Sequence, residues 1–71
     1  MTELLREAVR DGRRVALLRC YDGDGATIVE YESEPTGRRG SYRFNTAPEA
    51  FRFVQEALLA FQYLGCDVGA V

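Results

Sequence analysis

The sequence predicts a two-layer α+β domain: a three-stranded antiparallel meander with a helix at each end, both helices packed on one face, in the order α-β-β-β-α. Three observations carry this expectation. Side chains recur with a 3.6-residue period over residues 3–11 and 47–64, they alternate apolar with polar over 26–34 and 39–45, and glycine-rich turn signals separate the segments. With 71 residues, 46% of them hydrophobic, the chain fits one small domain spanning 1–71.

Over Glu3 to Asp11, Leu4, Leu5, Ala8 and Val9 fall on one helical stripe, with Thr2 as the N-cap and Gly12 as the residue after the helix. Arg13 to Tyr21 has an apolar centre, Val15-Ala16-Leu17-Leu18, too short for a free-standing helix, and reads as the first strand. The turn Asp22-Gly23-Asp24-Gly25 leads into Ala26 to Glu34, which places Thr27, Val29, Tyr31 and Ser33 on one face and Ile28, Glu30, Glu32 and Glu34 on the other. Pro35, Thr36 and Gly37 form the next turn. In Arg39 to Asn45, Tyr42 and Phe44 then oppose Arg39, Ser41, Arg43 and Asn45. Charge matching sets Glu34 opposite Arg39 and Glu30 opposite Arg43, which also places Tyr31 against Tyr42 and Val29 against Phe44.

Thr46-Ala47-Pro48-Glu49 is a capping box with proline in the first turn, and starts a helix from Ala47 to Leu64 that stops at Gly65. Its apolar arc fills about half the circumference at 100° per residue. An arc that wide predicts packing on the sheet and on the first helix, with Leu59 alone on the polar side. The tail Cys66 to Val71 is short and apolar, and either frays or lies against a strand edge.

The strand at 13–21 offers Val15, Leu17 and Tyr21 on one side and Ala16, Leu18 and Cys20 on the other. In a simple meander it is an edge, and an edge with apolar side chains on both faces needs a cover. The expected cover is a second copy of the chain or another protein, contacted through Val15, Leu17, Tyr21 and Ile28; the alternatives are that this strand lies centrally or that the C-terminal tail shields it. A domain of this size buries only ~60% of its unfolded surface, which makes a homodimer a natural source of stability.

Composition narrows the chemistry further. Nine basic against 11 acidic side chains give a net charge of −2, so the overall field does not draw the chain to nucleic acid or an anionic membrane. All the basic residues are arginine, as a GC-rich genome produces in any protein. Arginine also suits phosphate, and Arg13, Arg14, Arg38 and Arg39 beside the sheet aromatics form the alternative, nucleic-acid-binding reading. No stretch is long enough to span a membrane, and MTELLREAVR carries charges where a signal peptide is apolar, so a cytoplasmic location is expected.

No enzyme activity and no cofactor are expected. The sequence has no histidine, the commonest base and nitrogen ligand near neutral pH. The Asp22-Gly23-Asp24-Gly25 run begins like a calcium loop, but Ala26 and Ser33 stand where further ligands are required. Glu30, Glu32 and Glu34 read as a solvated row paired with Arg39 and Arg43. Cys20 and Cys66 lie 46 positions apart with no partner ligands, and read as buried thiols.

The order helix, three strands, helix resembles double-stranded RNA-binding domains, although Ala47-Pro48-Glu49-Ala50 stands where that family has a lysine-rich helix start. Phe44-Asn45-Thr46-Ala47-Pro48-Glu49-Ala50 resembles the strand-to-helix passage of the arm-binding domains of tyrosine recombinases. Gly12-Arg13-Arg14-Val15 is similar to the opening hairpin of WYL domains, without their Trp-Tyr-Leu signature. None of these assigns a family. The expectation is a small non-enzymatic protein-interaction module, with the process and partner open.

Overall fold

The computed structural model describes residues 3–34 and 36–71. Its elements are β1 (Leu4–Arg10), β2 (Arg13–Gly23), β3 (Ala26–Ser33), β4 (Arg38–Phe44), α1 (Ala47–Tyr63) and β5 (Asp67–Ala70). The strands form a five-stranded antiparallel sheet in the order β4-β3-β2-β1-β5, with α1 packed on one face. The architecture is therefore not the expected three-stranded meander with a helix at each end.

The first correction is the segment read as a helix over Glu3 to Asp11, which forms β1. Asp11 (φ 52°) and Gly12 (φ 75°) both occupy the left-handed region, the requirement of a two-residue hairpin turn, and Arg10 pairs with Arg13 across it. A nine-residue helix is marginal by itself, whereas this turn twists two strands into register. As a strand, the segment alternates Leu4, Arg6 and Ala8 with Leu5, Glu7 and Val9, so it is apolar on both faces. Thr2, read as a helix cap, and Pro35, read as a turn residue, lie outside the described residues.

Asp24 (φ 46°) and Gly25 (φ 76°) build a second hairpin turn of the same kind between β2 and β3. In the third hairpin, Gly37 (φ 71°) donates its N–H to the Ser33 carbonyl at 2.8 Å, and Ser33 pairs with Arg38. This shifts β4 by two residues from the charge-matched register. Glu32 faces Arg39, Val29 faces Tyr42 and Tyr31 faces Gly40, while each side chain keeps its expected face. The Tyr31 ring covers Gly40, filling space that only glycine leaves open.

The helix begins as its capping box predicts: the Thr46 hydroxyl accepts from the Glu49 N–H at 3.4 Å and donates to the Glu49 carboxylate at 2.9 Å. It ends in a Schellman motif. Cys66 N–H donates to the Phe61 carbonyl and Gly65 N–H to the Gln62 carbonyl, both at 3.0 Å, with Gly65 at φ 88°. That reversal delivers the tail to β1 as β5, pairing Ala8 with Val68 and Arg6 with Ala70.

Two small clusters form the core. Leu18, Cys20, Val29, Ala50 and Val54 pack near the helix start, and Ala8, Ala16 and Cys66 near its end. Because the segment expected to meet the rest of the wide apolar arc is the strand β1 and not a helix, Phe51 and Leu64 remain exposed, as does Leu59.

Candidate functional site: the uncovered face of the sheet

The strand read as an edge is the centre of the sheet, flanked by β1 and β3. Its apolar residues on two faces follow from that position: Ala16, Leu18 and Cys20 face α1, while Leu17 and Tyr21 face the side that no helix covers. As a central strand, β2 has both edges paired and needs no second copy to cover them. The apolar side chains on the uncovered face remain.

Cross-strand pairing lays this face out in rows. Glu7, Leu17, Glu32 and Arg39 form one, Leu5, Arg19, Glu30 and Ser41 the next, and Tyr21, Ile28 and Arg43 a third. Of the residues expected to make a contact surface, Tyr21 and Ile28 are thus direct neighbours and Leu17 shares their face. Val15 is separated from them. It sits where the β1–β2 register shifts between Ala8 and Val9, and packs against the Ala8, Ala16 and Cys66 cluster. Leu5 and Val9 also belong to this face, and their signal is the Asp11-Gly12 hairpin turn; Arg19 belongs to it through its alternation with Leu17 and Tyr21 in β2.

Apart from Arg43, which donates to the Asp24 carbonyl, the charges between these apolar residues are paired. Arg19 reaches Glu3 at 2.6 Å and Glu30 at 3.3 Å, and its guanidinium carbon lies 4.6 Å from the centre of the Tyr21 ring. Tyr21 donates its hydroxyl proton to Glu30 at 2.8 Å. Arg14 contacts Glu34 at 2.9 Å and Glu7 at 3.6 Å, and Arg39 lies 3.5 Å from Glu32. So Glu30 and Glu34 take Arg19 and Arg14 as partners, not the expected Arg43 and Arg39. The hydrogen bond to Glu30, followed by burial and the Glu30 charge, raises the Tyr21 pKa above its ordinary value. Leu17, Arg19, Glu30, Glu32, Arg39 and Ser41 line a shallow depression of about 540 Å³.

The four arginines of the alternative reading gather at one end of the sheet but split between its faces. Arg14 and Arg39 lie on the uncovered face, opposite Val9 and Glu32, and are engaged by carboxylates. Arg13 and Arg38, opposite Arg10 and Ser33, lie on the helix side.

Among the described residues, no group of three or more His, Cys, Asp or Glu is placed to hold a metal ion. The carboxylates of the uncovered face serve as ion-pair partners for arginines, and what the arrangement offers chemically is a neutralised polar lattice around apolar side chains. Cys20 and Cys66 are free and buried, and burial, with a smaller contribution from Asp22, raises the Cys20 thiol pKa. No helix among the described residues is long and apolar enough to cross a membrane. No protein-family model, curated protein or solved structure matches this chain.

Proposed function

We propose that this chain is a non-enzymatic protein-interaction module that self-associates by packing the uncovered sheet faces of two copies together. The observation that supports this reading is the face itself: Leu5, Val9, Leu17, Tyr21 and Ile28 emerge on the side of the sheet opposite α1, between charges that are, Arg43 apart, already paired.

Size and charge support the same reading. The accessible surface of 4996 Å² is larger than the ~4,450 Å² that surface scaling gives a compact monomer of 8.0 kDa. The largest fully buried side chains are only Val29 and Cys20, so the interior contributes little beyond what the two layers share. Strand spacing and rise give the uncovered face dimensions of about 25 by 20 Å, or roughly 1,000 Å² buried by two copies, below the ~1,200 Å² at which stable specific interfaces begin and in the range of weak ones. Five carboxylates (Glu3, Glu7, Glu30, Glu32, Glu34) against four arginines (Arg14, Arg19, Arg39, Arg43) leave the face close to neutral, so two copies do not repel. A phosphate backbone would meet those carboxylates, which disfavours this face for nucleic acid. Burying paired charges costs desolvation, which sets a weak, concentration-dependent dimer as the expectation.

Sedimentation velocity on two variants tests the proposal. Leu17→Glu adds a charge at the centre of the face and is expected to leave only monomer, whereas Leu59→Glu, on the exposed side of α1, is expected to associate like the unmodified chain. Equal association of both variants contradicts the proposal.

A further inference from the structure

A second surface, adjoining the uncovered face, lies at the free edge of β4. This strand pairs with β3 on one side only, and among the described residues its other side makes no backbone hydrogen bond. Its seven residues, RRGSYRF, contain three arginines and no acid. Among the described residues Arg38 has no carboxylate partner, the Arg43 guanidinium donates to the Asp24 carbonyl at 2.9 Å, and Arg39 is 77% exposed beside Glu32.

We propose that the β4 edge binds an extended acidic peptide of another protein as a sixth strand of the sheet. A second copy of β4 is a poor occupant, because antiparallel pairing centred on Ser41 sets Arg39 opposite Arg43 twice. An acidic strand reverses that sign at each position. The faces of the edge differ as well: Arg39, Ser41 and Arg43 line the uncovered side, and Gly40 and Tyr42 the helix side. On the helix side, Tyr42 is 46% exposed and stands 4.8 Å from Phe53, ring centre to ring centre. Inward of the edge, Tyr42 closes one side of a crevice of about 250 Å³ that Ala16, Leu18, Tyr31 and Ser33 of β2 and β3 share with Phe53, Ala57 and Phe61 of the helix. A strand laid along the edge thus meets arginine with one set of alternate side chains and the exposed Tyr42 ring with the other. The recognised pattern is acidic residues on one side and aliphatic residues on the other.

The test is fluorescence anisotropy with labelled Glu-Glu-Leu-Ser-Leu-Glu-Glu, a palindrome that offers the same pattern in either strand direction. Saturable binding is expected, unchanged in the Leu59→Glu variant on the far side of α1 and weakened at least tenfold by combined Arg39→Glu and Arg43→Glu. The same peptide N-methylated at alternate residues, measured on the unmodified chain, is expected to lose at least tenfold, because methylation removes ladder donors without altering charge. Absence of binding, equal binding of the methylated peptide, or tighter binding of oligothymidylate of the same length overturns the proposal.

Discussion

The phenol ring of Tyr31 lies over Gly40, its direct cross-strand partner, so closely that a Cβ at position 40 would fall 2.6 Å from the ring Cζ. The same ring stacks on Tyr42 with centres 5.9 Å apart, and Tyr42 in turn packs on Phe53 of the helix. Gly40 thus lets an aromatic chain run from the sheet to α1. Replacing it with valine forces the Tyr31 ring away, and is expected to cost about 1–3 kcal/mol in urea unfolding. The double variant Tyr31→Ala, Gly40→Val is expected to cost less than the sum of its parts, since the clash is then absent.

Gly12 carries φ 75° in the turn that makes β1 a strand. Gly12→Ala is expected to destabilise the fold by about 1 kcal/mol, because a Cβ disfavours the left-handed region. Asp11→Asn, at φ 52°, is expected to stay within ~0.5 kcal/mol, asparagine being at least as tolerant there. Thermal unfolding of the two variants checks the pair.

Tyr21 ionises later than an ordinary tyrosine, because its hydroxyl donates to Glu30 and burial adds to the shift. A folded-state pKa above the unfolded one stabilises the protein fully below the ordinary tyrosine range near ~10, and the contribution is lost as pH rises through the raised value. Absorbance titration is expected to show a late phenolate transition that disappears in Tyr21→Phe.

The Cys20 thiol is 1% exposed and packs with Leu18 and Val29. Burial, then Asp22, hold it in the neutral form. Reaction of the native chain with an aromatic disulfide reagent is expected to be slow at Cys20 and to become rapid in denaturant, as measured by thiol release. Rapid native labelling of Cys20 contradicts this packing.

The elements with strong local chemistry were legible in the sequence. The Thr46 capping box, the Gly65 stop, the alternation of 26–34 and the turn before it all fix local backbone geometry, and each is found in the fold. The segment 3–11 misled because Leu4, Leu5, Ala8 and Val9 satisfy a helical stripe and a strand apolar on both faces equally well. Asp11-Gly12 decided between them. Asp67–Ala70 is four residues long and acquires its strand conformation from β1, which no local pattern announces. A meander without β1 and β5 puts residues 13–21 at an edge, whereas their apolar side chains on two faces equally fit a central strand, the position β2 occupies. Leu17, Tyr21 and Ile28 still share one face, since the two-residue alternation survives that error, whereas Val15 does not, because the bulge beside it breaks the alternation.

Light scattering of the unmodified chain over a wide concentration range tests the central proposal most directly. Pairing of two uncovered faces predicts a mass that rises from 8.0 kDa towards twice that value and stops there. A mass that stays at 8.0 kDa across the range contradicts self-association through the uncovered face.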